Sequence, residues 1–284
     1  MANFMFENYY KHENSISFLR SNELESNKLT LLFIHGLGDS GINYKEFFSS
    51  SLVDKFNIIV PDLMGHGKSA KLNKYTFKLQ SEILISHLAH LEFENNIELN
   101  NIILIPHSMG AAHALLLYDS IIRTKIRALI SVEGTITQYG TFISKHVFNN
   151  QNNFVNWFNK FKYINVYSEL ATKYTSLKKY YASLEFCDPT AFLENGVELY
   201  EISTCLNEKN QNISGKRFLD LDIPKIYCYG DQSLAKESIE FLNEHNLPVK
   251  IFQTENHFVM QQCQAEFVQF ITSWIMNLEL PIVQ

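Results

Sequence analysis

The chain has no cluster of cysteines, no run of basic residues and no apolar stretch of membrane-spanning length, and each absence closes a class. The four cysteines (Cys187, Cys205, Cys228, Cys263) are scattered over 284 residues without a short paired spacing. That argues against a disulfide framework and a zinc site and predicts reduced thiols in a cytoplasmic protein. No His-x-x-x-His pair offers an alternative metal site. The formal net charge is -6, with no basic block, which predicts that neither nucleic acid nor an anionic membrane is the main partner. No apolar run approaches the ~18 residues of a membrane span. Met1 to Lys11 lacks a basic region followed by an apolar stretch, so no signal peptide is expected. Hydrophobic content of 46% and charge of 19% are ordinary for a globular enzyme, long enough for one domain with an insertion or for two.

What is present is an alternation. Ser15–Leu19, Leu29–Ile34, Phe56–Pro61, Asn101–Ile105 and Ala128–Val132 read as strands. The last four are short, continuous apolar runs, as expected of strands covered on both faces. Helical patterns at Tyr44–Leu52, Thr76–Phe93 and Ala111–Ile122 lie between them. The rhythm returns with a strand at Lys225–Tyr229, a helix at Leu234–Glu244, a strand at Val249–Gln253 and a helix at Glu266–Asn277. Such alternation predicts an α/β protein with a mostly parallel sheet. Between Thr135 and Asp222 aromatics and asparagines dominate, and the alternation stops. Residues 135–222 therefore read as a helical cap inserted into a core made of 1–134 and 223–284.

The chemistry concentrates at strand ends. Pro106-His107-Ser108-Met109-Gly110-Ala111 follows one apolar run and opens a helix. Such a turn lifts a serine hydroxyl clear of the sheet and points helix N-terminal amides at any developing negative charge. Phe33-Ile34-His35-Gly36-Leu37-Gly38 ends an earlier strand, where two glycines let the Leu37 amide face the serine. With the Met109 amide it would form a two-donor oxyanion hole. A glycine turn, Gly65-His66-Gly67-Lys68-Ser69, follows the next strand, and Asn256-His257-Phe258 follows the last. Histidine there lands at the C-terminal rim, where open α/β sheets build their sites.

In this order the four motifs resemble the α/β-hydrolase fold superfamily, over nearly the whole chain. The resemblance implies an eight-stranded, mostly parallel sheet with helices on both faces, a helical cap, and a Ser–acid–His triad working without cofactor or metal through an acyl-enzyme. Ser108 would be the nucleophile and His257 the base. Two positions depart from the family pattern. Pro106 stands where the elbow usually has glycine. Ser233 stands three residues beyond Gly230, where many members carry the acid. The acid is then Glu133, at the end of the sixth strand as in some members, or Asp231; position favours Glu133. Aspartate-nucleophile chemistry of dehalogenases and epoxide hydrolases is not expected with serine at 108. His35 and His66 are expected to brace the glycine turns, His113 to pack, and His245 to be solvated.

The expected activity is hydrolysis of an ester or related acyl bond in a small to medium apolar small-molecule substrate. The same triad would also serve an acyltransferase, a thioesterase or a carbon–carbon bond hydrolase, and a catalytically weak binding protein of this fold is the reading from a different class. A homo-oligomer is compatible with the sequence.

Overall fold

A computed structural model describes residues 4–8, 15–206 and 213–278. Most of Met1–Lys11, read above for a leader, lies outside them. Eight strands form one sheet: β1 (Phe4–Asn8), β2 (Ser17–Ser21), β3 (Thr30–Ile34), β4 (Asn57–Pro61), β5 (Ile102–Pro106), β6 (Ile126–Val132), β7 (Lys225–Gly230) and β8 (Val249–Phe252). Their order is β1-β2-β4-β3-β5-β6-β7-β8. β2 is antiparallel to both neighbours, and every pair from β4 through β8 is parallel.

The period-2 geometry of a strand explains the apolar runs. Leu32, Ile34, Leu104 and Leu129 join Leu84, Leu88 and Leu117 in one core. The alternate residues Leu31, Phe33, Ile103, Ile105 and Ile130 join Phe47, Phe48, Phe267 and Ile271 in the other. Each fully buried side chain of this size contributes about 1.5–3 kcal/mol, so neither face of a central strand tolerates polar substitution.

Local chemistry sets the helix ends. Thr76 caps the Phe77–Asn95 helix by accepting from the Leu79 amide, and Asn96 ends it at φ 50°. The apolar spacing at Tyr44–Leu52 does not make the single α-helix expected. It folds as a 3₁₀ segment, Gly41–Ser49, and a short helix, Leu52–Lys55. A spacing of three suits either geometry. The helix expected at Ala111–Ile122 spans Gly110–Tyr118. Within 135–222 the long regular elements include Phe142–Asn149, the π-helical Phe161–Leu170, Thr175–Glu185 and Pro189–Thr204. Among the described residues no helix is long and apolar enough to cross a membrane.

Candidate active site

Two neighbouring strands pin the turn after β5. The His107 amide donates to Ile34 O (2.8 Å) on the β3 side, and the Ser108 amide donates to Val132 O (3.0 Å) on the β6 side. Helical bonds start at once, from Gly110 N to His107 O and from Ala111 N to Ser108 O. Ser108 is left in the left-handed region, φ 51°. That conformation costs a non-glycine residue on the order of 1–3 kcal/mol, which the fixed strands on either side sustain. Pro106 sits in a gap of the β5–β6 ladder. The paired register ends at Leu104↔Leu129 and resumes at His107↔Val132. Strand amides alternate sides, so the N–H that proline lacks belongs on the β6 side, where this gap lies.

The Gly36–Asp39 turn lies against the serine. A Cβ on Gly36 would come within 3.2 Å of both Ser108 Cβ and His107 Nδ1. Neither the Leu37 nor the Met109 amide has an acceptor among the described residues. Both side chains are buried. One backbone N–H in this turn and one in the elbow are thus left without an acceptor among the described residues.

His257 is held from several directions. Asn256 Oδ1 accepts the Phe258 amide (2.9 Å), and Asn256 Nδ2 donates to Ser176 Oγ (2.8 Å). His107 Nε2 lies 3.1 Å from His257 O. A carbonyl only accepts, so the His107 proton is on Nε2. The two imidazoles pack with centroids 4.8 Å apart. His107 thus faces the loop of His257, and burial, then the nearby His257, pushes it down to about 3.

The structure brings Glu133 to His257. Glu133 sits one residue past β6 at φ 51°, with its side chain 1% exposed. Its Oε2 lies 3.3 Å from His257 Nδ1. Its Oε1 accepts from the Gly230 amide (2.8 Å) and from the Ser233 hydroxyl. Asp231, the alternative, is exposed and turned elsewhere: its Oδ1 accepts the Thr254 amide at 2.9 Å. An anionic carboxylate on Nδ1 keeps the proton there and leaves Nε2 as the basic nitrogen. The Ser108 hydroxyl is not hydrogen-bonded to the imidazole, whose ring nitrogen bond is to Glu133. Such bonds are often long in unliganded sites and tighten around substrate.

His35 and His66 brace the glycine turns, and His113 packs between two helices. His35 Nε2 accepts the Leu63 amide (2.9 Å), so Nδ1 carries the proton and donates to Gly36 O (2.8 Å). One ring thereby ties the two glycine turns together. His66 Nδ1 donates to Met64 O (3.1 Å), and His113 Nδ1 pairs with Ser81 Oγ (2.9 Å). Burial lowers all three, His66 to about 4 and His113 to about 3. Among the described residues no group of three or more His, Cys, Asp or Glu side chains could hold a metal.

Two buried carboxylates beside the site were not singled out from sequence. Asp62 Oδ1 accepts the Gly41 amide (2.6 Å) and Oδ2 the Lys68 amide (2.8 Å). Asp39 Oδ1 accepts from Ser40 N and Asn43 Nδ2, both at 2.8 Å. Burial pushes Asp62 up to about 6 and Asp39 up to about 7. A carboxyl raised above its unfolded value binds extra protons when folded, so its ionisation costs stability as pH climbs from the unfolded value toward the folded one. Asp39→Asn should therefore flatten the loss of stability between pH 4 and about 7. Urea midpoints at pH 5 and pH 8 should lie closer together in the variant than in the wild type, and an unchanged difference would exclude this role for Asp39.

The helical segment between β6 and β7 packs on the turn after β3. Tyr180 OH donates to Leu37 O (3.0 Å), and Ser183 Oγ pairs with Ser40 Oγ (2.8 Å). A Cβ on Gly38, itself at φ 73°, would meet Leu184 Cδ2 at 2.6 Å and Phe192 Cε2 at 2.7 Å. Phe192 is the centre of an aromatic group with Phe154, Trp157, Phe158 and Phe161, at centroid distances of 4.7–6.3 Å. Glu194 and Glu198 accept the Tyr75 (2.6 Å) and Phe77 (2.9 Å) amides at the start of the Phe77–Asn95 helix, where negative charge is favoured.

Known proteins agree with this architecture. A Mycoplasma genitalium protein named as an esterase/lipase is 34% identical over 107 residues, which is 37% of each chain. The matched part thus spans well under half the length of that relative. A solved N-acyl homoserine lactonase complexed with N-hexanoyl homoserine superposes with a TM-score of 0.70 at 13% identity, covering 98% of both chains. A thermophilic esterase from Thermogutta terrifontis superposes with a TM-score of 0.66 at 16% identity, covering 97% of this chain and 99% of the other. The sequence profile of the alpha/beta hydrolase fold matches residues 30–233. With its strand order and elbow turn described, the chain belongs to the alpha/beta hydrolase fold family.

Proposed function

We propose that the protein is a serine hydrolase that cleaves an ester or related acyl bond of a small to medium apolar substrate. Ser108 Oγ attacks the carbonyl carbon while His257 Nε2 takes its proton. Glu133 holds the imidazole tautomer and stabilises the imidazolium. The Leu37 and Met109 amides receive the oxyanion. His257 then protonates the leaving group, and water attacks the acyl-enzyme by the same relay in reverse. The observation that carries this reading is the buried Glu133 carboxylate 3.3 Å from His257 Nδ1, with the strained Ser108 backbone tied to the residue before Glu133.

The helical segment acts as a lid in this reading. Its contacts with the Leu37 turn come from Tyr180, Leu184 and Phe192, which supports an apolar acyl group beneath it. The relative named as an esterase/lipase supports ester chemistry. Four free cysteines fit a reducing, cytoplasmic compartment.

A fluorophosphonate probe should label the native protein and leave Ser108→Ala unlabelled. Equal labelling of both would refute the assignment.

A further inference from the structure

We propose that Ser233 is a positioning residue: its hydroxyl fixes one oxygen of Glu133 so that the other faces His257. The proposal rests on the reading of Glu133 as the acid and deepens it.

A carboxylate has about four acceptor sites on two oxygens. Those of Glu133 are used unequally. The Ser233 hydroxyl and the Gly230 amide, the latter at 2.8 Å, converge on Oε1, and among the described residues His257 Nδ1 alone meets Oε2. Both donors on Oε1 come from one turn after β7. That turn is itself pinned: the Asp231 amide donates to Phe252 O (2.8 Å) and the Ser233 amide to Gly230 O (3.2 Å). Gly230 has no room for a side chain, since a Cβ there would lie 2.3 Å from Thr254 O and 2.6 Å from Ser233 Oγ. The backbone can therefore bring its amide to the carboxylate, and a hydroxyl three residues on completes the grip.

The direction of the hydroxyl proton follows from charge. Ser233 Oγ also lies 3.2 Å from Gly230 O, but that carbonyl already receives the Ser233 amide. A hydroxyl has one proton, and a carboxylate is a stronger acceptor than an occupied carbonyl. Donated to Oε1, the proton opposes rotation of the carboxylate about its last torsion, which is otherwise broad. Tyr227 OH, donating to Gly134 O (2.5 Å), fixes the backbone just beyond Glu133. With backbone and Oε1 both held, Oε2 is the atom left to orient the imidazole.

The test is a double-mutant cycle read with p-nitrophenyl butyrate. Ser233→Ala should lower kcat by about tenfold, the scale on which supporting hydrogen-bond partners act, with KM within about twofold of wild type. Ser233→Thr, which keeps the hydroxyl, should recover most of the loss. On a Glu133→Gln background, Ser233→Ala should lower kcat no further, because no carboxylate oxygen is left for it to aim at His257. If Glu133→Gln collapses kcat while Ser233→Ala matches wild type, the positioning role is overturned and the acid assignment stands. Losses that add fully in the double variant also overturn it. Wild-type kcat in Glu133→Gln overturns the acid assignment, and this proposal with it.

Discussion

Glu133→Gln is expected to lower kcat by about 10⁴-fold, while Asp231→Asn stays within about threefold of wild type, the scale on which loss of the acid acts in serine triads. The cause is a tautomer. The Gly230 amide and the Ser233 hydroxyl both donate to Oε1, so the glutamine oxygen is held there and its NH₂ faces His257 Nδ1. Two donors cannot share that contact. The imidazole answers by placing its proton on Nε2, where it can no longer accept one from Ser108. Shape and burial barely change, so near-UV circular dichroism should match wild type. Asp231 makes its contact with the Thr254 amide, and its loss should be felt in the β8 turn, not in turnover. A reversed ranking of the two variants would transfer the acid role to Asp231.

Gly110→Ala is expected to destabilise the fold by about 3 kcal/mol, lowering Tm by roughly 6–12 °C. Two effects compete. Alanine gains up to ~1 kcal/mol over glycine inside a helix. Against that, the new Cβ would lie 2.3 Å from Ile34 O and 3.1 Å from His35 O. These are backbone atoms of β3 and the turn after it, and Ile34 O already receives the His107 amide. Relief requires moving the helix or the strand, and the helix begins at the elbow. The clash therefore decides the sign. Gly140→Ala is the control, since the nearest atom to its Cβ would be Ser238 Oγ at 4.0 Å. A thermal scan in which both variants melt with wild type would refute the argument.

The most legible strands were those buried on both faces, while β2, β7 and β8 were read from the alternation around them. β3 to β6 contribute to both cores, so each reads as an uninterrupted apolar run. β1 carried no such signal. Among the described residues it pairs on one side, with β2, and no strand–helix alternation leads into it. Ser108, His257 and Glu133 could be nominated because each follows a strand, and strand ends share a rim. Position favoured Glu133 over Asp231, but the choice between them turns on side-chain directions at the ends of two neighbouring strands, β6 and β7. The parts of Ser233, Asp39 and Tyr180 were hidden for a different reason. Ser233 meets Glu133, and Tyr180 meets Leu37, across more of the chain than any local pattern spans. For Asp39 the available signal was local: aspartate in Gly38-Asp39-Ser40-Gly41 is placed to bond backbone two residues or fewer away.

The pairing of β6 with β7 has a consequence for biosynthesis. Leu129–Val132 find Lys225–Cys228 only after the whole helical segment between them has been made. During translation the nascent chain therefore presents the elbow beside an unpaired, mostly apolar β6 edge, the kind that can recruit a foreign strand. Glu133 waits through the same interval without the turn that grips it. A ribosome stalled before Lys225 would hold a polypeptide with Ser108 in place and Glu133 ungripped, a fragment whose open edge is suited to chaperone binding.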